Sequence, residues 1–369
     1  MRDFTQVRRV VVKVGTSILT TPDGIDTGYV ADLAGEIRQL RDSGREVLLV
    51  SSGAIGMGAR ELGISGRVRE IRMRQACAAM GQPVLMNTYR DIFGDEGIAT
   101  AQVLLTKEVL NQRKSYVNLQ NSVETLLELG VLPIINENDS VATDEIGTAF
   151  GDNDRLSALV ASKVDADLLL ILSDVDALYD QDPRRHRDAK RLSDVESVTP
   201  EIFAGAGKPG STHGTGGMTT KLEAVKIAEN AGCRTIIAAG REPAVISRLM
   251  KGEDLGTLFL ARRRLKNRVR WILNSEAKGR IRVDPGAMEA IRRHNSLLPT
   301  GVTGVEGVFD AGSVVLVNDE VKLVTNFNSR ELEALIGKHS SEIAEITGDR
   351  RKLVARPEDM VFLDDVGPD

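Results

Sequence analysis

Two lysines, two glycine- or serine-rich turns and two clusters of short carboxylates and amides carry the chemistry available to this sequence. Lys13 lies inside the β-branched run Val10 to Val14, directly before Gly15-Thr16-Ser17. A lysine in a buried strand is costly unless its ammonium reaches an anion at the strand's end, so Lys13 is a phosphate-contact candidate. The plainer alternative is a lysine snorkelling from an edge strand. Lys221 closes Gly214-Thr215-Gly216-Gly217-Met218-Thr219-Thr220-Lys221, which opens a helix through Leu222, Val225, Ile227 and Ala228. Glycines let main chain approach phosphate oxygens, first-turn amides add partial positive charge, and the lysine adds a full one. The spacing is not that of a Walker A loop, and a Gly-rich surface loop is the alternative. Val47 to Val50 runs into Ser51-Ser52-Gly53-Ala54-Ile55-Gly56, a strand-turn-helix passage that can aim backbone N–H groups at an anion. A tight turn with no ligand has the same pattern. Ile134-Ile135-Asn136-Glu137-Asn138-Asp139 and Phe150-Gly151-Asp152-Asn153-Asp154 suit an ammonium, a hydroxyl or hydrated Mg²⁺ better than a bare phosphate. Ordinary turn chemistry gives the same residues.

The elements that must position these groups alternate between strands and helices. Strands are expected at Val10 to Val14, Val47 to Val50, Ala99 to Leu105, Val131 to Ile135, Asp167 to Leu172, Thr235 to Ala239 and Gly256 to Leu260. Asp26 or Thr27 caps a helix carrying Val30, Leu33, Ile37 and Leu40. Arg67 to Arg74 starts a second that continues towards Phe93, and Lys107 to Leu129 reads as a long third. Asp152 or Asn153 is placed to cap a helix starting near Asp154. The polar clusters, including Ser173-Asp174-Val175-Asp176, fall at the carboxyl ends of strands, where open parallel sheets bind ligands. The expected fold class is α/β, a mainly parallel open sheet sandwiched by helices over residues 1–260.

Residues 261–275 read as a linker. Its Arg262 to Trp271 run is either a basic RNA-binding patch with a stacking tryptophan or a connector whose arginines pair with acidic surfaces, and the acidic chain favours the connector. From 276 to 360 short strands between Gly and Pro (Gly279 to Asp284, Gly301 to Glu306, Ser313 to Val317, Val321 to Val324) indicate a small β-barrel-like domain. Helices at Gly286 to Arg293 and Ser329 to Ile336 interrupt it. Residues 361–369 are an acidic tail, with Met360 to Leu363 able to pair.

The chain has 369 residues, a net charge of −5 and only 4% aromatic residues. That balance gives no global pull towards nucleic acid and few base-stacking surfaces. Cys77 and Cys233 read as reduced core residues. The four histidines show no metal-ligand spacing. With no signal-like N-terminus and no membrane-length apolar run, a soluble cytoplasmic protein is expected.

Assembled, Val12-Lys13-Val14-Gly15-Thr16-Ser17, Ser51 to Ile55, Ile135 to Asp139, Gly151 to Asp154, Ser173 to Asp176 and Gly214 to Lys221 resemble the amino acid kinase family, in that family's order. Asp284-Pro285-Gly286-Ala287, Ser296 to Val302 and Gly307-Val308-Phe309 resemble a PUA domain, from which Asn326-Phe327-Asn328-Ser329 departs locally. The resemblance implies transfer of the ATP γ-phosphoryl to the γ-carboxylate of L-glutamate as a step of proline biosynthesis; aspartate or N-acetylglutamate as acceptor, or RNA binding through the PUA domain, are the alternatives. It implies that Lys13 and Lys221 flank the phosphoryl group and that Asp154 orients them. Ser52, Gly53, Asp139 and Asn153 would bind the acceptor, with Asp139 facing its ammonium. Ser173, Asp174, Thr215, Gly216, Gly217, Met218, Thr219, Thr220 and Lys221 would bind ATP. Mg²⁺ follows from ATP chemistry, with no protein ligand assignable. The resemblance further implies proline as a feedback inhibitor, handover of the acyl phosphate to glutamate-5-semialdehyde dehydrogenase, and a homo-oligomer. No general base is required, because a carboxylate is already ionised at pH 7.

Overall fold

Alternation along the first strand decides where its lysine points. In β1 (Arg9–Val14) the residues Val10, Val12 and Val14 face one side of the sheet, while Val11 and Lys13 face the other. The computed structural model describes residues 2–66, 68–106, 109–110, 113–141, 153–205, 217–261, 264–338 and 353–363. In chain order the first unit continues with α1 (Thr16–Leu19), a small hairpin of β2 (Thr20–Thr21) and β3 (Gly24–Ile25), α2 (Thr27–Asp42), β4 (Glu46–Val50), α3 (Ala54–Glu61) and α4 (Ile71–Asp95). Then come β5 (Thr100–Leu105), α5 (Arg113–Glu128), β6 (Leu132–Glu137), α6 (Asp154–Lys163), β7 (Leu168–Ser173), β8 (Asp194–Val195) and α7 (Pro200–Gly205). It closes with α8 (Met218–Glu229), β9 (Arg234–Ala239), α9 (Val245–Met250) and β10 (Thr257–Phe259).

One sheet runs in the order β5-β6-β4-β1-β7-β9-β10-β8. Its strands pair in parallel except β9 with β10, which are antiparallel. Helices cover both faces. Leu33, Ile37, Leu85, Tyr89, Phe93 and Ile246 pack on the Val10/Val12 side, and Val123, Leu156, Leu159, Leu222 and Val225 pack on the Val11 side. Burying branched residues from both faces, at roughly 1.5–3 kcal/mol each, is what keeps central strands so uniformly apolar. The connection after β1 leads to β4 on one side, whereas those after its other neighbour β7 lead to β8 and β9 on the other, so the direction of winding switches between β1 and β7. The parallel strands therefore open a crevice at their carboxyl ends.

Several expected boundaries shift. β6 runs on through Asn136 and Glu137, beyond the apolar stretch, because Leu104 and Leu105 of β5 continue the ladder beside them. Asp26 caps α2 by accepting from the Tyr29 amide. Asn153 occupies the N-cap position of α6, yet its side chain makes no capping bond. The expected helix over 107–129 is seen as Arg113–Glu128, with residues 107–108 and 111–112 outside the described residues.

The chain divides after Arg264 into two units. The second contains α10 (Asn267–Asn274), β11 (Arg280–Val283), α11 (Pro285–Arg292), β12 (Val302–Glu306), β13 (Val314–Val317), β14 (Val321–Val324), α12 (Ser329–Ala334) and β15 (Met360–Phe362). Its sheet has the order β12-β11-β13-β14-β15. Part of the basic run thus forms α10, whose Trp271 and Ile272 pack with Val314, Val324 and Val361. Asn328 and Glu331 form a capping box on α12. Arg280, Arg282, Arg292, Arg293 and Arg356 each pair with a carboxylate, so these surface cations are locally balanced.

Candidate active site

Lys13 and Lys221 stand 208 positions apart in sequence, 221 − 13, and meet on one carboxylate. Lys13 Nζ lies 2.7 Å from Asp154 Oδ1, and Lys221 Nζ lies 3.0 Å from Asp154 Oδ2. β1 delivers the first lysine to the face where α6 and α8 begin. Asp154 is the opening residue of α6, where a carboxylate also meets the positive end of the helix. Lys221 is the fourth residue of α8. All three side chains are sealed from solvent, with exposures of 0% for Lys13 and Asp154 and 2% for Lys221. Two ammoniums gathered on one buried carboxylate make a positively charged corner suited to a phosphoryl group in transfer. Thr220 steadies the start of α8 by donating its hydroxyl to the Gly217 carbonyl at 2.8 Å, with Asp154 Oδ2 a distant second acceptor at 3.4 Å.

The opposite wall comes from β4 and β6. Ser52 donates its hydroxyl to the Val14 carbonyl at 2.9 Å, tying the end of β4 to the end of β1. Gly53 follows in the left-handed region, φ +96° and ψ 0°, so the chain turns sharply into α3 without a side chain over its first amides. Those amides, at the start of the helix that follows β4, have no side-chain cap. Ser51 shares a 2.8 Å hydrogen bond with the Tyr89 hydroxyl. Burial pushes the Tyr89 phenol up, partly offset by that bond. Asn153 is also left-handed, at φ 60°. Its Nδ2 donates to the Ser51 carbonyl at 2.6 Å and to Asn136 Oδ1 at 2.7 Å, so it braces β4 against β6 where α6 starts. Asn136 in turn donates to Gln82 Oε1 at 2.7 Å. Asp139 is half-buried just beyond β6; burial pushes its carboxyl up to about 6, with Arg74 pulling weakly the other way.

Ser173 ends β7 next to β1, and its hydroxyl donates to Asp174 at 2.9 Å. Gly217, Met218, Thr219 and Thr220 open α8. Thr215 and Gly216, like Gly151 and Asp152, lie outside the described residues. Sequence reading missed Gln82 and Tyr89 and gave Asn136 no separate role. A single polar residue in a helix such as α4 gives no sign that it turns inward. Cys77 and Cys233 are buried free thiols. Among the described residues no three His, Cys, Asp or Glu side chains are grouped to hold a metal, and no helix is long and apolar enough to cross a membrane.

Residues 8–239 match the amino acid kinase family and residues 279–347 match the PUA domain. The chain is 49% identical to the glutamate 5-kinase of Methanosarcina barkeri, over 94% of each chain. It is 47% identical to that of Methanosarcina acetivorans, over 94% of this chain and 93% of the relative. Among solved structures, carbamate kinase from Giardia lamblia bound to AMP-PNP superposes with a TM-score of 0.50 at 17% identity, covering 70% of this chain and all of that one, which shows the fold alone. The chain belongs to the amino acid kinase family, in its glutamate 5-kinase branch, and carries a PUA domain after the kinase domain.

Proposed function

We propose that the chain transfers the γ-phosphoryl group of ATP to the γ-carboxylate of L-glutamate, producing L-glutamate 5-phosphate for proline biosynthesis. The observation that carries this reading is the convergence of Lys13 and Lys221 on Asp154, next to a strand-turn-helix passage suited to a carboxylate. It is joined by the family relationship over nearly the whole chain.

The acceptor is ionised at pH 7, so a γ-carboxylate oxygen attacks the γ-phosphorus directly and ADP departs with the bonding pair. No proton needs to move. Catalysis is then alignment plus neutralisation of charge that spreads over the phosphoryl oxygens. Lys13, at the end of β1, and Lys221, in the first turn of α8, flank that group, while Asp154 holds both ammoniums in place and limits their mutual repulsion. Ser52, Gly53 and the opening amides of α3 receive a carboxylate of the acceptor. Asp139 faces its α-ammonium, and Asn153 closes the pocket between them. Ser173, Asp174 and residues 215–221 hold the nucleotide. Mg²⁺, when bound with ATP, offsets the charge of the phosphates. The two lysines suit the same polyanion; no protein ligand for the metal is assigned.

Proline acting at or over the glutamate site, self-association, and handover of the unstable acyl phosphate to glutamate-5-semialdehyde dehydrogenase belong to the same proposal. The test is trapping with hydroxylamine. Hydroxamate formed from L-glutamate, ATP and Mg²⁺, but not from aspartate or N-acetylglutamate, supports it. ATP-dependent hydroxamate from another acceptor and none from glutamate would overturn it.

A further inference from the structure

Behind the acceptor side of the site stand two consecutive residues of α4, Gly81 and Gln82. A Cβ at Gly81 would lie 1.9 Å from the Ala54 carbonyl oxygen and 2.4 Å from the Gly58 amide nitrogen. A Cβ at Gly58 would lie 1.7 Å from the Cys77 carbonyl oxygen. The two helices therefore touch backbone to backbone, and the contact falls on Ala54, the first residue of α3. Pro83 follows at once and lacks the N–H that would continue the helical ladder, which allows α4 to bend at this point.

Gln82 continues the same support through side chains. Only 8% exposed, it accepts at Oε1 from Asn136 Nδ2 at 2.7 Å. Asn136 Oδ1 accepts from the Glu137 backbone amide at 2.9 Å and from Asn153 Nδ2 at 2.7 Å. A backbone amide can only donate, so it fixes which way the Asn136 amide points. Asn136 must then present its NH₂ to Gln82, and Gln82 must answer with oxygen. The direction of the whole chain, from α4 through β6 to the residue before Asp154, is thereby set. Gln82 Nε2 is buried and makes no hydrogen bond among the described residues. Retaining an unpaired buried donor is unfavourable, so the oxygen is the useful end of this side chain.

We propose that Gly81 and Gln82 are positioning residues for the acceptor amino acid: Gly81 seats the opening of α3, and Gln82 sets the amides of Asn136 and Asn153. This rests on the acceptor-kinase reading above. The hydrogen bond of Gln82 runs to Asn136 and the backbone contact of Gly81 runs to α3, so the effect is expected on the acceptor rather than on the nucleotide.

The test uses the full chain with Gln82→Leu, Gln82→Glu and Gly81→Ala. Gln82→Leu is expected to raise the KM for L-glutamate about tenfold, the scale of one lost buried hydrogen bond, with the KM for ATP within about twofold of wild type. Gln82→Glu keeps an oxygen towards Asn136 but buries a carboxylate, so its stability should fall below wild type while amides at 136–137 stay better protected than in Gln82→Leu. Hydrogen exchange in the ligand-free protein gives a readout independent of activity: amides at 136–137 should exchange faster in Gln82→Leu, and those at 54–58 in Gly81→Ala. Should Gly81→Ala fail to fold, the Gln82 pair decides. Unchanged exchange and unchanged glutamate KM in Gln82→Leu, a parallel rise in both KM values, or amides at 136–137 no better protected in Gln82→Glu than in Gln82→Leu would each overturn the proposal. Loss of the kinase reading would show differently, as wild-type protein inactive on glutamate.

Discussion

Replacing Asp154 with Asn removes the one carboxylate between two buried ammoniums while keeping its size. In the wild type each carboxylate oxygen meets a different lysine, at 2.7 and 3.0 Å. An asparagine has a single acceptor oxygen and no charge, so both ion pairs are lost and at most one lysine keeps a hydrogen bond to the side chain. Stranding a buried charge in this way costs about 3–5 kcal/mol. In a unit spanning Met1–Arg264, at about 2 °C per kcal/mol, the melting temperature should fall by about 6–10 °C. ATP brings negative charge to the same place, so saturating nucleotide should recover much of the loss. Lys221→Met is the informative contrast. It leaves the neutral Lys13–Asp154 pair intact, so stability should fall less, while kcat drops about 10²–10³-fold through loss of a charge that acts in the transition state. Circular dichroism melts with and without ATP, combined with steady-state rates, measure all of this. An Asp154→Asn protein melting within about 1 °C of wild type in the absence of ATP would refute the reasoning, because the lysines would then not depend on that carboxylate.

The carboxyl of Asp139, pushed up to about 6 by burial, is protonated below that pH and ionised above it. If it faces the acceptor's ammonium, the glutamate KM should rise as pH falls, about tenfold between pH 7 and pH 5, and Asp139→Asn should have a high KM with little pH dependence over that range; a pH-independent wild-type KM contradicts the assignment. Gly53→Ala meets no closer atom than Thr16 Cγ2 at 3.5 Å, so its penalty is the left-handed backbone alone, about 1–3 kcal/mol. Chemical denaturation should show that loss, accompanied by weaker glutamate binding. Trp271→Ala, at a site only 8% exposed in the second unit, should cost about 3–5 kcal/mol of that unit's stability; a substitution with no effect on denaturation would mean that α10 is dispensable to it.

Much of the architecture was legible because strand and helix periods are imposed by burial. The runs Val10 to Val14 and Asp167 to Leu172 are apolar on both faces, as central parallel strands must be, and they pair with each other in the sheet. Lys13 stood out for the complementary reason: a charge among valines requires a partner. Its partner carboxylate could be suggested only by resemblance, since no local rule links residue 13 to residue 154. Asp152 or Asn153 is the cap the sequence offers for α6; Asp152 lies outside the described residues, and the Asn153 side chain, on a left-handed backbone, bonds Ser51 and Asn136 instead, which depends on contacts made by distant strands. β6 extends through Asn136 and Glu137 because the neighbouring strand supplies hydrogen bonds regardless of side-chain polarity. Two-residue β8 and six-residue α7 were invisible for lack of length: neither spans enough residues to display a period.

The central claim is that Lys13 and Lys221 serve one phosphoryl group. A double-mutant cycle on kcat tests it most directly, with Lys13→Ala, Lys221→Ala and the double variant assayed by hydroxamate formation from L-glutamate and ATP. Groups acting as a unit are non-additive, so the double variant should be scarcely slower than the worse single one. A loss equal to the product of the two single losses would mean that the lysines act independently, contradicting the account.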